Sequence, residues 1–194
     1  TKGDNLKTND SLKVSEEQII GKIKFTVFDE VVANPTTKNV QDALDMYKNN
    51  SCKGIIAFGG GSVMDCAKAV GACVACPNKT LSSMKGLLKV NSKLPMLIAI
   101  PTTAGTGSET TVTAVITDSE QQSKFTINDF DLIPNYTLLD ANLTLSLPKH
   151  LTATTGMDAL THAVEAYIGK TTTKQTRSYA LQAIKLIFEN IEVA

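Results

Sequence analysis

Two groups of residues in this sequence are of types that could do chemistry. The first is the run Gly59–Ser62, three glycines and a serine that directly follow the apolar stretch Ile55–Phe58. Glycine permits positive φ angles and lets a ligand approach the backbone closely, so such a turn can accommodate a phosphate. The second is the pair Asp158 and His162, a carboxylate and an imidazole spaced i, i+4. On a helix, that spacing places both side chains on the same face.

The glycine-rich turn has two interpretations. An apolar run bounded by glycine predicts a strand buried on both faces, and Ser62 is a good N-cap for a helix after it. Together they predict a strand, a phosphate-binding turn and a helix. However, the run lacks the third glycine of the dinucleotide fingerprint, because that position is Met64, and it does not fit the P-loop pattern. An ordinary glycine-rich turn in an α/β domain is the alternative.

A second loop rich in small and hydroxylated residues follows another predicted strand. The strand is Pro95–Ile100, and the loop is Pro101–Thr111. In open α/β sheets, ligands bind outside the carboxyl ends of the strands, so this loop and the Gly59–Ser62 turn can face one crevice. A flexible surface loop is the alternative. Lys124, further along the chain, could put a cation over the crevice or lie on a solvated edge.

The pair Asp158 and His162 also has two interpretations. Oxygen and nitrogen donors of this kind suit Fe²⁺ or Zn²⁺, so the pair can supply part of a metal site. The alternative is an ion pair on a helix surface, worth a few tenths of a kcal/mol. Because two ligands do not make a site, spacing alone favours the ion pair. The only other histidine, His150, is interpreted as a surface residue.

The elements that must position these groups change type along the chain. Strand and helix patterns alternate up to Leu147, whereas apolar residues recur only at helical spacing from Pro148 onwards. We therefore predict an α/β domain with a mostly parallel sheet over residues 1–147, followed by the first part of an all-helical domain over residues 148–194. The predicted elements are a helix after Ser15, a strand at Ile23–Val27, a helix capped by Thr36 or Thr37, the strand and helix on either side of Gly59–Ser62, a polar loop at 77–93, the strand Pro95–Ile100, a hairpin of Val112–Ile116 and Lys124–Ile127, a strand at Tyr136–Leu139, and helices at Gly156–Ile168 and around the apolar stripe Tyr179–Ile191.

Composition and charge argue against several functional classes. The 194 residues carry 19 Lys and Arg against 19 Asp and Glu, so no strong basic field attracts nucleic acid. No apolar run approaches the roughly 20 residues that span a membrane, and the polar start Thr1–Asp10 is not a signal peptide. Four cysteines in a chain of this size do not suggest a disulfide framework. We therefore expect a protein of a reducing compartment, the cytoplasm, with no nucleic-acid or membrane partner.

Cys73 and Cys76 form a C-x-x-C pair at the end of the predicted helix after the glycine turn. Such a pair is half of a zinc site or a redox motif, but no second pair exists in the sequence. Cysteines in an apolar helix more often behave as small buried hydrophobic residues, and we favour that interpretation.

Four motifs occur in series and carry a resemblance to a known family. They are Asn34–Thr36, Gly59–Ser62 with Asp65 and Lys68, Pro101–Glu109, and Gly156–Tyr167. In this order they resemble the iron-containing (group III) alcohol dehydrogenase family, in particular its lactaldehyde/propanediol oxidoreductase and butanol dehydrogenase branch. The resemblance is nearly gapless from about residue 28 to residue 191.

This resemblance implies a dinucleotide-binding α/β domain, a helical metal-binding domain and an active site between them. The implied cofactors are NAD or NADP, together with Fe²⁺ or, alternatively, Zn²⁺. Asp158 and His162 match the first two of four metal ligands. The positions that match cofactor-binding residues of the family are Asn34, Gly60, Gly61, Ser62, Asp65, Thr102, Thr103, Thr106 and Lys124.

The implied reaction is hydride transfer between the nicotinamide and a primary alcohol, a small diol or an aldehyde, in a full-length homodimer. The family has a first strand upstream of Thr1 and two histidine ligands downstream of Ala194, so we expect this chain to be an N-terminal fragment that is inactive alone. The family's ribose-selecting aspartate falls close to Lys2 and Asp4, which leaves NAD and NADP both open. The alternative function is a stand-alone nucleotide-binding module or an inactive remnant.

Overall fold

The structure, a computed structural model, describes residues 24–121 and 123–193. The helix predicted after Ser15 lies outside the described residues, as do Lys2 and Asp4. The helices and strands are, in chain order, α1 (Thr37–Asn49), β1 (Gly54–Gly59), α2 (Gly61–Ala75), β2 (Gly86–Leu87), β3 (Met96–Pro101), β4 (Thr113–Asp118), β5 (Ser123–Asn128), β6 (Tyr136–Thr137), α3 (Lys149–Ile168) and α4 (Lys174–Asn190).

The strands form two small sheets. One has the order β1-β3-β6, with every pairing parallel, and β1 aligns with β3 from Gly54 opposite Met96 to Gly59 opposite Pro101. The other has the order β2-β5-β4, in which β4 and β5 form an antiparallel hairpin. The predicted α/β class is confirmed, and so is the hairpin. The strand predicted at Tyr136–Leu139 is shorter, because only Tyr136 and Thr137 pair with β3.

Helix α2 lies at the centre of the α/β part and is buried on both sides. Towards β1 and β3 it packs Met64 and Ala67 against Ala57, Leu97 and Ala99. Its other side belongs to a larger core shared with α1 and the β4–β5 hairpin. Full burial of one Val, Leu or Ile side chain contributes roughly 1.5–3 kcal/mol, so these contacts fix where the start of α2 lies. The buried residues of the larger core include Val40, Leu44, Cys66, Val70, Met84, Val90, Ile116, Phe125, Ile127 and Leu132.

Helix α1 begins after Thr36, one of the two predicted caps, and this cap is part of a capping box. The hydroxyl of Thr36 accepts a hydrogen bond from Asn39 N, and the Asn39 side chain accepts one from Thr36 N. These reciprocal bonds satisfy two backbone donors that a helix start leaves unpaired. The predicted apolar positions Val40 and Leu44 then turn towards the core.

Two predictions in the α/β part are wrong. Residues 24–31 form no strand, and Phe25 and Val27 are 65% and 73% exposed. Their alternating pattern favours a strand, but a strand also needs a partner for its backbone groups, and no described strand pairs with this segment. The predicted loop at 77–93 contains β2 and two buried apolar side chains, Met84 and Val90.

Within residues 149–193 the described chain contains helices only, and α3 packs against α4. Helix α3 begins at Lys149, before the predicted start at Gly156. Gly156 lies inside the helix, and an added Cβ there would lie 3.1 Å from Ile191 Cδ1, so Ile191 packs closely against this glycine. In α4 the predicted stripe is only partly correct, since Ala180 is buried whereas Tyr179 and Phe188 are largely exposed. No helix in the described part of the chain is long and apolar enough to span a membrane.

Asp129 joins the segment after β2 to the end of β5. Its Oδ2 accepts hydrogen bonds of 3.0 Å from both Val90 N and Asn91 N, and its Oδ1 accepts one of 3.2 Å from Asp131 N. The residue is only 4% exposed. A buried carboxylate with several backbone donors is well compensated, but its loss would leave those donors unpaired.

We expect Asp129→Ala to lower the free energy of unfolding by about 2–4 kcal/mol, because each buried donor left unpaired costs about 1–3 kcal/mol. Urea denaturation of both proteins measures this difference. Asp140→Ala is the matched control, since Asp140 accepts a 3.0 Å bond from Asn142 N at an exposed site. That control should cost about 1 kcal/mol or less. Equal losses of unfolding free energy in the two variants would contradict the stabilising role given to Asp129.

Candidate functional site

The glycine turn and the second loop leave neighbouring strands at the same level. Thr102 N donates a 3.0 Å hydrogen bond to Gly59 O, which joins the two loops where they begin. Helix α2 begins at Gly61, and its N-cap, Gly60, offers no side-chain hydrogen bond. There is also no acidic residue in the first turn of α2. The helix start therefore leaves backbone N–H groups and a positive dipole end for an anion.

Ser62 is not the N-cap that the sequence predicts, because α2 begins one residue before it. Its hydroxyl instead accepts a 3.2 Å hydrogen bond from Asn34 N. The segment before α1 is thus attached to the first turn of α2. The two residues are 28 positions apart, so local sequence patterns do not reveal this bond.

The two loops lie in close contact along the predicted crevice. An added Cβ at Gly60 would lie 3.2 Å from Thr103 Cγ2, and one at Gly61 would lie 3.1 Å from Thr106 Oγ1. The structure therefore brings the glycine turn against the two threonines. A side chain at either glycine would press against one of these threonines, so the close approach of the two loops depends on glycine at both positions.

Asn34, Ser62 and Lys124 form one polar cluster at the entrance of the crevice. Lys124 Nζ donates a 2.6 Å hydrogen bond to Asn34 Oδ1, so Lys124 is held at the cluster rather than along a free sheet edge. Asn34 has a φ of +57°, and its carbonyl accepts a 3.3 Å bond from Thr117 Oγ1. Asparagine tolerates this left-handed conformation better than most residues. The cluster presents an ammonium and a hydroxyl to solvent beside the glycine turn.

Asp65 and Lys68, one turn apart on α2, hold the far end of the second loop. Asp65 Oδ1 accepts a 2.8 Å bond from Ser108 Oγ, and its Oδ2 accepts a 3.1 Å bond from Val115 N. Lys68 is fully buried, and its Nζ donates to residues 108–113. Asp65 thus acts on the second loop rather than pointing at the crevice.

Burial dominates the electrostatics of this pair. It raises the pKa of the Asp65 carboxyl above its ordinary value, against the hydrogen bonds from Ser108 and Val115 and the charge of Lys68. It lowers the pKa of Lys68 to about 8, against the charges of Asp65 and Glu109. From the sequence Lys68 is only one member of a motif, and its burial is not apparent there. The one signal in the sequence is that Lys68 follows Asp65 by three residues in a helix of small apolar residues, which makes the two side chains neighbours on one face.

Asp158 and His162 lie on α3, with His162 Nε2 3.6 Å from Asp158 Oδ2. Both side chains are about half exposed, so their lone pairs are accessible. Among residues 24–121 and 123–193, no cluster of three or more His, Cys, Asp or Glu side chains could hold a metal ion. His150 is exposed on the first turn of the same helix, as expected.

The second loop contacts α3 close to this pair. An added Cβ at Gly105 would overlap the carbonyl of Thr155 and lie 2.7 Å from Thr155 Cβ. Thr155 precedes Asp158 by three residues and His162 by seven, so the three residues share a helix face. The pair therefore lies on the side of α3 that meets the second loop.

The cysteines take no part in this site. Cys73 and Cys76 are buried, and Cys76 Sγ donates a 3.3 Å bond to Val90 O. Burial raises the pKa of Cys73 to about 11 and that of Cys66 to about 12, so these thiols remain protonated. All the cysteines are free in the structure. The C-x-x-C pair thus behaves as buried apolar side chains, the interpretation that we favoured.

Comparison with known proteins identifies the class. The family described as "Iron-containing alcohol dehydrogenase" matches residues 3–141, and "Fe-containing alcohol dehydrogenase family, C-terminal" matches residues 152–194. The chain belongs to the iron-containing alcohol dehydrogenase family. The resemblance carried by the four sequence motifs is confirmed.

Particular relatives show how much of such a protein the chain covers. It is 45% identical to a probable alcohol dehydrogenase of Escherichia coli, over 89% of this chain and 43% of that protein. It is 38% identical to the lactaldehyde reductase of E. coli, over 90% and 46% respectively. The sulfoacetaldehyde reductase of Bifidobacterium kashiwanohense, solved in complex with NAD⁺, is 34% identical, with a TM-score of 0.79 over 88% of this chain and 45% of that one. The chain spans less than half the length of these relatives.

The burial of Lys68 predicts a pH dependence of stability. Its pKa lies at about 8 in the folded chain against an ordinary value of 10.5, so the unfolded chain binds more protons between these values. The free energy of unfolding should therefore gain a contribution as pH rises from about 8 to 10.5, and lose it as pH falls through about 8.

Urea denaturation of the wild type and of Lys68→Met, from neutral pH to pH 10, isolates this contribution. Cys66 and Cys73 titrate in the opposite sense, but they do so in both proteins, so the difference in free energy reports Lys68. We expect the wild type to gain stability relative to the variant as pH rises. A difference that stays constant with pH would show that Lys68 is not buried as described.

Proposed function

We propose that this chain forms the cofactor-binding half, and the start of the metal-binding half, of an NAD(P)- and metal-dependent alcohol dehydrogenase or aldehyde reductase. The observation that carries the proposal is the close approach of Thr103 and Thr106 to Gly60 and Gly61, beside the start of α2, which has no side-chain cap. Membership of the iron-containing alcohol dehydrogenase family supplies the chemistry. The proposed substrates are primary alcohols, small diols and their aldehydes, since relatives carry names such as 1,3-propanediol dehydrogenase and lactaldehyde reductase.

The crevice fits the pyrophosphate of a dinucleotide. Its floor is backbone without side chains at Gly60 and Gly61, and a helix N-terminus of α2 faces it. The hydroxyls of Ser62, Thr103 and Thr106 can donate to phosphate oxygens. The hydrogen bond from Thr102 N to Gly59 O holds the start of the second loop beside the glycine turn. Lys124, held by Asn34, supplies a positive charge at the ribose side. NAD is the first candidate, because a relative is named an NAD-dependent methanol dehydrogenase and another was solved with NAD⁺.

Asp158 and His162 fit part of a metal site. They offer one carboxylate oxygen and one imidazole nitrogen from a single helix face, a donor set that suits Fe²⁺ or Zn²⁺. We propose them as two ligands of Fe²⁺, with further ligands supplied by the longer protein. When bound, the metal would polarise an alcohol or aldehyde oxygen, and the nicotinamide would exchange hydride with the carbon. The contact between Gly105 and Thr155 keeps this face of α3 beside the cofactor crevice.

We also propose that the chain divides into an α/β domain, residues 1–147, and a helical domain that begins at residue 148. The change from strands and helices to helices alone supports this boundary, and the two family matches lie on either side of it. The longer protein is proposed to act as a homodimer in the cytoplasm.

Replacing Gly61 with valine should raise the Kd for NADH by about tenfold or more, because a branched side chain would collide with Thr106 and cover the backbone of the turn. Quenching or enhancement of NADH fluorescence on titration measures the Kd. Gly54→Val is the matched control, since Gly54 lies at the opposite end of β1, where a Cβ would lie 3.1 Å from Met96 O. It introduces a similar steric strain away from the crevice. An unchanged Kd in Gly61→Val, or an equal rise in both variants, would refute the pyrophosphate site.

Replacing His162 with alanine should abolish retention of metal in the longer dehydrogenase, because an imidazole supplies one of only a few bonds to the ion. Metal content after dialysis, with alcohol-dependent formation of NADH, tests this. His150→Ala, on the same helix but at an exposed first-turn position, should leave both unchanged.

The same measurements on the 194-residue chain test the ligand set. With Asp158 and His162 as its ligands, the chain should hold metal weakly and show little turnover. Stoichiometric metal and turnover in this chain would show that the ligand set is wrong. Cofactor binding without any metal effect in the longer protein would favour a nucleotide-binding module instead.

A further inference from the structure

Lys68 is a buried lysine to which the proposed reaction assigns no role. It is fully inaccessible to solvent on α2. Its Nζ donates to Thr111 O and Thr111 Oγ1 at 2.9 Å, to Thr113 O at 3.0 Å and to Ser108 Oγ at 3.3 Å. An ammonium has three protons, so every donor is used and at least one is shared between acceptors. All of its acceptors lie in one short segment, residues 108–113, which covers the end of the second loop and the start of β4.

These bonds fix one of the two ends of the second loop. At the near end, Thr102 N donates to Gly59 O at the close of β1. At the far end, Ser108 Oγ accepts from Lys68 and donates to Asp65. The near anchor is a backbone bond that any sequence could make. The far anchor depends on two side chains that project from the same face of α2.

We infer that Lys68 is a positioning residue for the cofactor site. By holding residues 108–113 against α2, Lys68 sets how closely Thr103 and Thr106 approach the Gly60–Gly61 turn. The inference rests on the proposed function, which places the cofactor pyrophosphate at that turn. Because both loop ends are attached to the strand and helix that flank the turn, a shift of the far end changes the width of the crevice directly. Lys68 itself lies beneath the loop and has no access to the ligand.

Stability alone does not account for a lysine at this position. Removing an ammonium group from water is costly, and buried charges are often replaced by apolar residues of similar size with little loss. Methionine has nearly the length and shape of the lysine stem and could fill the same space. What methionine cannot do is bind the carbonyls of Thr111 and Thr113, and the hydroxyl of Ser108, at fixed positions. The amine thus adds geometry that packing would not supply.

The test is Lys68→Met, with Lys93→Met as the control that removes the same charge from an exposed position. Hydrogen exchange of amides 102–107 is measured without cofactor, the Kd for NADH by fluorescence, and Tm by circular dichroism. We expect exchange in this loop to accelerate, and the Kd for NADH to rise about tenfold, with wild-type secondary structure retained. In the active enzyme, the KM for cofactor should rise while the KM for alcohol stays within about twofold, a split that general destabilisation would not produce.

Ser108→Ala is the second variant, since it removes the hydroxyl shared by Asp65 and Lys68 while leaving both in place. It should change the same quantities in the same direction and to a smaller extent. If the wild type fails to bind NADH, the proposed function is wrong. The role of Lys68 in positioning the loop is then tested by hydrogen exchange of amides 102–107 alone. Exchange in residues 102–107 within about twofold of the wild type in Lys68→Met and Ser108→Ala would overturn it. The inference would also be overturned if the wild type binds NADH and the variants show faster exchange in this loop but the same Kd for NADH as the wild type.

Discussion

The parallel pairing of β1 with β3 is the constraint on which the candidate site depends. Its register places Gly59 opposite Pro101, so both strands end at the same level. The carboxyl ends of parallel strands lie at one edge of a sheet, and the chain must leave both strands there. The bond from Thr102 N to Gly59 O carries the pairing one residue further. The contact between the glycine turn and the second loop is therefore a consequence of sheet geometry.

Helix α2 turns this juxtaposition into a defined crevice. Its start supplies the N–H groups beside the glycine turn, while its middle supplies the polar pair that holds the second loop. Asp65 and Lys68 stand in an otherwise apolar helix that is buried on both sides. Each of their hydrogen bonds contributes about 1 kcal/mol net, but an unpaired buried group would cost more. The arrangement is favourable only when the loop occupies one position, so it specifies that position.

The described residues form the proposed cofactor site more fully than the proposed metal site. Asn34, Ser62 and Lys124 are joined by hydrogen bonds, and the threonines stand against the glycine turn. Asp158 and His162 remain an accessible pair on one helix. What connects the two sides is the contact of Gly105 with Thr155, which holds α3 against the second loop. The proposed hydride transfer would need that closeness, since reacting atoms must come within about 3–3.5 Å of each other.

The sequence by itself determined the features that depend on neighbours along the chain: the turn after Ile55–Phe58, a helix cap at Thr36 or Thr37, the β4–β5 hairpin, and the family to which the motifs belong. It could not predict β2, because a strand of two residues exists only through its pairing with β5. It assigned Ser62 to a local cap, whereas its partner is Asn34, far away in sequence. It gave no position to Lys68, whose acceptors lie some 40–45 residues later in the chain. Local spacing fixes which face of a helix a side chain occupies, but only the tertiary structure decides what lies opposite that face, since burial and hydrogen-bond partners come from distant segments.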